Sequence, residues 1–182
     1  GHWAFLDDHM DRLFEAAKAI DLDIGMTRDQ VISALSETQK ANGMTTDAHA
    51  RLTGRPGVCF VTRGPGATNA ASGIHIAMQD STPMILLIGQ IARDHSEREA
   101  FQEIDFRRMF GQLAKWVGQI DDETRVAEYM SHAFHHARAG RPGPVVLALP
   151  EDMLSSSTDV ADAKPYVPVE AKTAPEDVSR FR

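Results

Sequence analysis

The run Val58-Cys-Phe-Val-Thr-Arg-Gly-Pro-Gly-Ala-Thr-Asn69 constrains the fold more than any other stretch of the chain. A short apolar segment breaks on Gly-Pro-Gly and passes into a helix-forming segment, the pattern of a strand, a sharp turn and a helix start. Gly64 and Gly66 can take backbone angles closed to other residues, while Pro65 fixes its own φ and offers no N–H. Such a turn leaves bare main chain and a fresh helix N-terminus at the carboxyl end of a strand, where open α/β sheets place their ligands. A plain strand–turn–helix connection would carry the same three residues, so the turn by itself leaves both readings open.

The remaining pattern is read along the chain. Residues 6–20 read as an amphipathic helix, with Leu6, Met10, Leu13, Phe14 and Ala17 at helical spacing and three aspartates near its start. Thr27-Arg-Asp-Gln30 has the spacing of a capping box and predicts a second helix to about residue 41. Residues 46–53 read as a short helix stopped by Gly54-Arg-Pro-Gly57. From there strands alternate with helices: strands at 57–62, 84–89, 116–120 and 144–149, helices at 67–79, 103–110 and 123–139. The continuous apolar run Met84-Ile-Leu-Leu-Ile-Gly89 suits a strand covered on both faces, hence a parallel sheet. The expected fold is α/β, a doubly wound parallel sheet with helices on both faces, preceded by a helical N-terminal segment. The expected division is 1–45 for that segment, 46–152 for the α/β domain and 153–182 for a polar, proline-bearing linker. A linker with nothing after it implies a piece of something longer.

Composition removes several classes of function. The 182 residues are long enough for one domain with its own core. A net charge of −7 without a basic cluster argues against nucleic acid as partner. No apolar run approaches the roughly 18 residues of a membrane span, and no secretory pattern is read at the start, so a cytoplasmic protein is expected. The lone Cys59 excludes a disulfide framework and reads as a small buried hydrophobe. His132 and His136 share a helix face with His135 beside them, but no zincin glutamate or third ligand accompanies them. They read as a surface or partner-facing pair, and no metal site is assigned.

Several segments together resemble the N-terminal, pyrimidine-binding domain of thiamine-diphosphate enzymes of the acetolactate synthase type. They are Asp47-Ala-His-Ala-Arg-Leu-Thr-Gly-Arg-Pro-Gly-Val-Cys59, Thr62-Arg-Gly-Pro-Gly-Ala-Thr-Asn69, Asp80-Ser-Thr-Pro-Met84, Ile88-Gly-Gln90, Ala100-Phe-Gln-Glu103 and Gly140-Arg-Pro-Gly-Pro-Val145. The resemblance runs from about residue 47 to 150 and keeps the family's order. It implies that the chain holds the aminopyrimidine of thiamine diphosphate, while magnesium and the diphosphate are held by a domain absent from it, in the same or another chain. It implies a carboligase or decarboxylase of small 2-oxo acids, a transferase or lyase working as a homo-oligomer, with the isolated chain inactive. A separate pyrimidine-domain subunit of a two-chain decarboxylase and a non-catalytic module with the same shell stay open.

The resemblance also implies roles for single residues. Gly64, Pro65, Gly66, Asn69 and Gln90 would face the cofactor, Gln90 by hydrogen bonding at a strand end. Gln102 would orient a carboxylate or ketone oxygen of the substrate, and Phe101 would wall its pocket. Arg63 fills a slot often held by a small residue; it would bind an acidic substrate or pair with Glu97 or Glu99 across the interface. Lys115 resembles a basic residue near the channel, or is a strand-edge lysine. The catalytic glutamate bonded to N1′ is where this chain departs: counting back from Asp47 gives Thr38 and Gln39, with Glu37 two residues early and no histidine before it. Glu37 is the catalytic candidate, a solvated helix charge its alternative.

Overall fold

The computed structural model describes residues 44–164 continuously, together with 10, 11, 14, 15, 18, 27–33, 166 and 167. The chain forms two compact units, residues 1–40 and 41–182. In the first, the described positions between 10 and 18 and from 28 to 33 are helical. The capping box forms as its spacing predicts: Thr27 N–H donates to Gln30 Oε1 at 2.8 Å and Gln30 N–H to Thr27 Oγ1 at 3.3 Å. Arg28 pairs with Asp11 at 2.6 Å. The later part of the expected second helix, with Glu37 and Gln39, lies outside the described residues.

The second unit begins with α1 (Met44–Thr53) and continues β1 (Gly57–Val61), α2 (Gly64–Gln79), β2 (Met84–Gln90), α3 (Phe106–Phe110), β3 (Trp116–Gln119), α4 (Val126–Arg138), β4 (Pro144–Pro150) and α5 (Glu151–Leu154). The four strands form one parallel sheet in the order β1-β2-β4-β3. Every residue of β4 is buried, and all but Gly89 of β2, as the unbroken apolar runs require of strands covered on both sides. Met84, Leu86, Ile88, Val146 and Ala148 pack under α2 and α3. Ile85, Leu87, Val145, Leu147 and Leu149 pack under α4 and Met153 of α5. The reversal of strand order explains the two faces. Crossovers of one hand keep their helices on one side while strands are added in one direction, and change side when the chain turns back. Accordingly α2 and α3 share a face, and α4, which precedes the return to β4, takes the other.

Small residues set the spacing between layers. Ala67, Ala70 and Ala77 of α2 are fully buried against the sheet, as their spacing predicts. Gly57 seats α1 still closer, since a Cβ there would lie 2.4 Å from the Thr46 carbonyl oxygen. Arg51 at the end of α1 bonds Asp47 at 2.7 Å and also Asp80 beyond α2. In the Gly-Arg-Pro-Gly turn, Arg141 donates to the Met78 and Gln79 carbonyls and to Ser81 Oγ, closing the carboxyl end of α2. Cys59 is half-buried against the core, and burial pushes its thiol pKa up, in keeping with a packing residue.

The histidines of α4 lie along an aromatic stripe. Trp116 of β3 sits 5.9 Å from the Tyr129 ring and 5.0 Å from that of His136, and His132 meets His136 edge-on at 6.3 Å. Burial first, then the His135, His132 and Lys115 charges, lower the pKa of His136. Its neutral form is therefore favoured by folding. That contribution is intact above the ordinary histidine value and is lost as pH falls through the lowered one.

Gly57→Ala is expected to lower the unfolding free energy by about 1–3 kcal/mol through overpacking, read from urea midpoints. Phe110→Ala, which empties a fully buried ring site, is expected to cost about 3–5 kcal/mol. A Gly57→Ala protein as stable as its parent would contradict the close seating of α1. Melting temperature should fall on acidification from about pH 7 to about pH 5 more steeply in the parent than in His136→Phe. Equal slopes would count against a neutral His136 in the folded chain.

Candidate functional site

Because the strands are parallel, all four carboxyl ends meet at one edge of the sheet. The chain leaves β2 toward α3 on one face and leaves the adjacent β4 toward Met153 on the other. Connections diverging from neighbouring strands leave a crevice between them, the usual ligand position of open α/β sheets. A cleft of about 360 Å³ opens there, floored by Gln90, Ala148 and Gln119 and bordered by Ser96, Glu97 and residues 103–107. Glu97, Glu103, Asp105 and Asp121 line it against a single cation, Arg107.

Several of those groups already have partners. Gln90 is 7% exposed; its Nε2 donates to the Ile104 carbonyl at 2.9 Å and its Oε1 accepts from Ile91 N–H at 3.0 Å. Both ends of this amide are used within the chain, pinning the segment before α3 to the end of β2. Asp105 accepts from Arg108 N–H at 3.1 Å and caps α3. Asp121 accepts from Gln119 Nε2 at 2.7 Å. Beside the cleft, Arg93 Nε bonds Asp152 at 2.6 Å and its guanidinium also reaches the Asp121 carbonyl. The connections after β2, β3 and β4 are thereby tied together.

The Gly-Pro-Gly segment differs from its expected form. It is the first turn of α2 rather than a loop before it, with Pro65 in the position where a missing N–H costs nothing. Neither glycine has a positive φ. Their value lies in close approach: a Cβ at Gly64 would sit 3.1 Å from the Gln102 carbonyl oxygen and 3.3 Å from Ile104 Cδ1. A Cβ at Gly66 would sit 3.0 Å from Thr62 Cγ2. Gly64 N–H donates to that same Gln102 carbonyl at 3.2 Å, so the Gly-Pro-Gly and Phe-Gln-Glu segments meet directly at the carboxyl edge.

The other candidates are placed unequally. Phe101 is 81% exposed beside this junction, and Gln102 is half-buried with φ +67°. Asn69 is exposed on the second turn of α2. Arg63 pairs with Glu151 at 2.7 Å, neither Glu97 nor Glu99, and its stem lies 3.8 Å from where a Cβ on Gly89 would stand. It thus links the ends of β1 and β4 across β2. Lys115 precedes β3 and sits at the opposite, amino edge, donating to the Ala139 carbonyl and to that of Arg141 at 2.9 Å; burial lowers its pKa. It stands at this strand edge and does not line the cleft. Glu37 is outside the described residues. The residues that sequence reasoning gave no role are Glu103, Glu151 and Asp152. Glu103 stood inside a quoted motif, but its partners are fixed by the loop's fold.

Among the described residues no helix is long and apolar enough to cross a membrane, and no group of three or more His, Cys, Asp or Glu could hold a metal ion. The chain is 38% identical over 130 residues to a protein named probable acetolactate synthase large subunit from Methanococcus aeolicus, covering 71% of this chain and 22% of that one. It is 37% identical over 149 residues to an acetolactate synthase large subunit of Parasynechococcus marenigrum, covering 82% and 23%. A mitochondrial acetolactate synthase of Schizosaccharomyces pombe is 38% identical over 122 residues, covering 67% and 18%. The chain thus spans between 18% and 23% of the length of these curated relatives. The family described as thiamine pyrophosphate enzyme, N-terminal TPP binding domain, matches residues 7–109. That match takes in most of the N-terminal segment that the motifs left aside, and with the parallel sheet and the junction of its two glycine- and glutamine-bearing segments it decides the assignment: the chain belongs to the thiamine pyrophosphate enzyme N-terminal domain family.

Proposed function

We propose that this chain supplies the aminopyrimidine-binding half of a thiamine-diphosphate site in a carboligase or decarboxylase of small 2-oxo acids, of the acetolactate synthase type. The observation that carries this reading is the hydrogen bond from Gly64 N–H to the Gln102 carbonyl, which joins the two motif segments on the edge where the crevice opens.

The chemistry of the cleft fits one end of the cofactor. An aminopyrimidine is a flat polar ring that needs carboxylate and carbonyl acceptors around its amino group and ring nitrogens, and the cleft offers both. A diphosphate needs cations, and four carboxylates facing one guanidinium would repel it. The diphosphate therefore belongs to a partner domain, in the same chain or in another subunit of a homo-oligomer, and magnesium goes with it, since no group of three or more His, Cys, Asp or Glu that could hold a metal ion gathers among the described residues. When bound, thiamine diphosphate supplies a carbanion equivalent for bond cleavage and formation next to a carbonyl. This chain's part is to orient and to exclude water. Gln90 fixes the cleft wall, Gly64 lets the Gln102 backbone approach, and Gln102 offers a neutral donor to a 2-oxo acid. Phe101, apolar and exposed, walls the substrate path once a partner domain covers it. The bond between Arg63 and Glu151 leaves the guanidinium already neutralised, which disfavours a role as anchor for an acidic substrate.

Thiamine without its phosphates is the probe that isolates this half of the site. Titrated into the chain, it is expected to shift the amide resonances of Gly64, Gln90, Gln102 and Gln119. Shifts confined to the amino edge around Lys115, or none up to the solubility of thiamine, would overturn the reading. Gly64→Ala, whose Cβ would press on the Gln102 carbonyl, is expected to weaken that binding while leaving the β2 and β4 amides in place. With thiamine diphosphate, magnesium and pyruvate, the isolated chain is expected to release no carbon dioxide; measurable turnover would contradict the division of the site between domains.

A further inference from the structure

The segment bordering the cleft holds an unfavourable backbone: φ is +62° at Glu97, +53° at Glu99 and +67° at Gln102. In that region Cβ crowds the following carbonyl, so a non-glycine residue stays there only when its surroundings hold it. Packing does not do so here. Glu97, Glu99 and Phe101 are exposed, and the tip of the loop meets solvent. One side chain reaches inside the loop instead. Glu103 Oε1 accepts from Glu97 N–H at 2.7 Å and its Oε2 accepts from Ala100 N–H at 3.0 Å. Glu103 N–H also donates to the Ala100 carbonyl at 3.0 Å, closing the turn around that carboxylate. Both oxygens are engaged with main chain, and bonds from backbone N–H to a carboxylate are among the stronger hydrogen bonds. The loop so shaped delivers the Gln102 carbonyl to Gly64 N–H, and Gln90 holds the next residues through Ile104.

We propose that Glu103 is a positioning residue, whose carboxylate sets the 97–102 loop in the form that seats Gln102 on Gly64 and displays Phe101. It acts through Gln102 and Phe101 and touches no reacting atom itself. The inference rests on the reading that this loop borders the thiamine-diphosphate site, but the loop's shape is measurable without any cofactor.

The test is amide hydrogen exchange, resolved by residue in the full 182-residue chain, for Glu103→Ala and Glu103→Gln. Glu103→Ala is expected to speed exchange about tenfold or more at Glu97 and Ala100, and to a smaller degree at Gly64, with β2 and β4 unchanged. Glu103→Gln keeps one carbonyl oxygen and is expected to leave only one of the two amides protected; it also serves if the alanine variant fails to fold. Adding Glu97→Gly to Glu103→Ala, which removes the penalty on positive φ, should restore protection at Gly64. Exchange within about twofold of the parent at both loop amides would overturn the proposal, as would an equal loss across the sheet, which marks general destabilisation. The thiamine titration separates the two readings. Loop amides that respond in a chain that does not bind thiamine sink the proposed function and leave Glu103 in its role; a chain that binds thiamine but whose loop ignores Glu103→Ala does the reverse.

Discussion

Two strands with no solvent face organise this domain. β2 and β4 pair in parallel through seven residues each, and nearly every side chain they carry is buried. With both faces apolar, the sheet is stable only between two helical layers, and the chain must alternate sides to build them. The same alternation opens the crevice. Since β2 and β4 send their continuations to opposite faces, a crevice opens between their carboxyl ends, bordered among the described residues by the loops that follow. The core and the candidate site thus share one origin.

The loops at that edge are held by polar tethers as well as by packing. Gln90 grips Ile104, Arg93 grips Asp152 and the Asp121 carbonyl, Arg63 grips Glu151, and Glu103 grips its own loop. The two exposed ion pairs among them, Arg93–Asp152 and Arg63–Glu151, contribute about 0–1 kcal/mol each, so their importance is geometric. They fix where the segments of the edge stand relative to one another. Phe101 is left exposed at that edge.

Much of the second unit was legible from local pattern. The apolar runs ending at Gln90 and Pro150, the alanine spacing of α2 and the Gly-Arg-Pro-Gly stops each follow from one dominant local constraint, and the structure places those elements within a few residues of expectation. The capping box at Thr27 is equally local, four residues that satisfy each other's backbone groups. The reason for the Gly-Pro-Gly glycines was harder to see. Sequence offers backbone freedom as the default reason for glycine, whereas at Gly64 the constraint is a carbonyl oxygen from a segment nearly forty residues away, and at Gly66 it is the Thr62 and Val61 side chains just before the turn. The place of Lys115 has a related cause: its neighbours in sequence resemble a channel motif, and its position just before a parallel strand puts it at the far edge.

By itself the sequence determined the class of fold, the order and type of the elements and the family, because hydrophobic periodicity, turn residues and ordered motifs are properties of adjacent positions. Tertiary structure alone decided which carboxylates meet which backbone groups, that Arg63 pairs with Glu151, that Gln90 spends its amide on Ile104, and that Glu103 sits inside its own loop. Those pairings join residues up to eighty-eight positions apart. The long-range ones have no local pattern, since they follow from how parallel strands and alternating helices bring distant strand ends to a common edge.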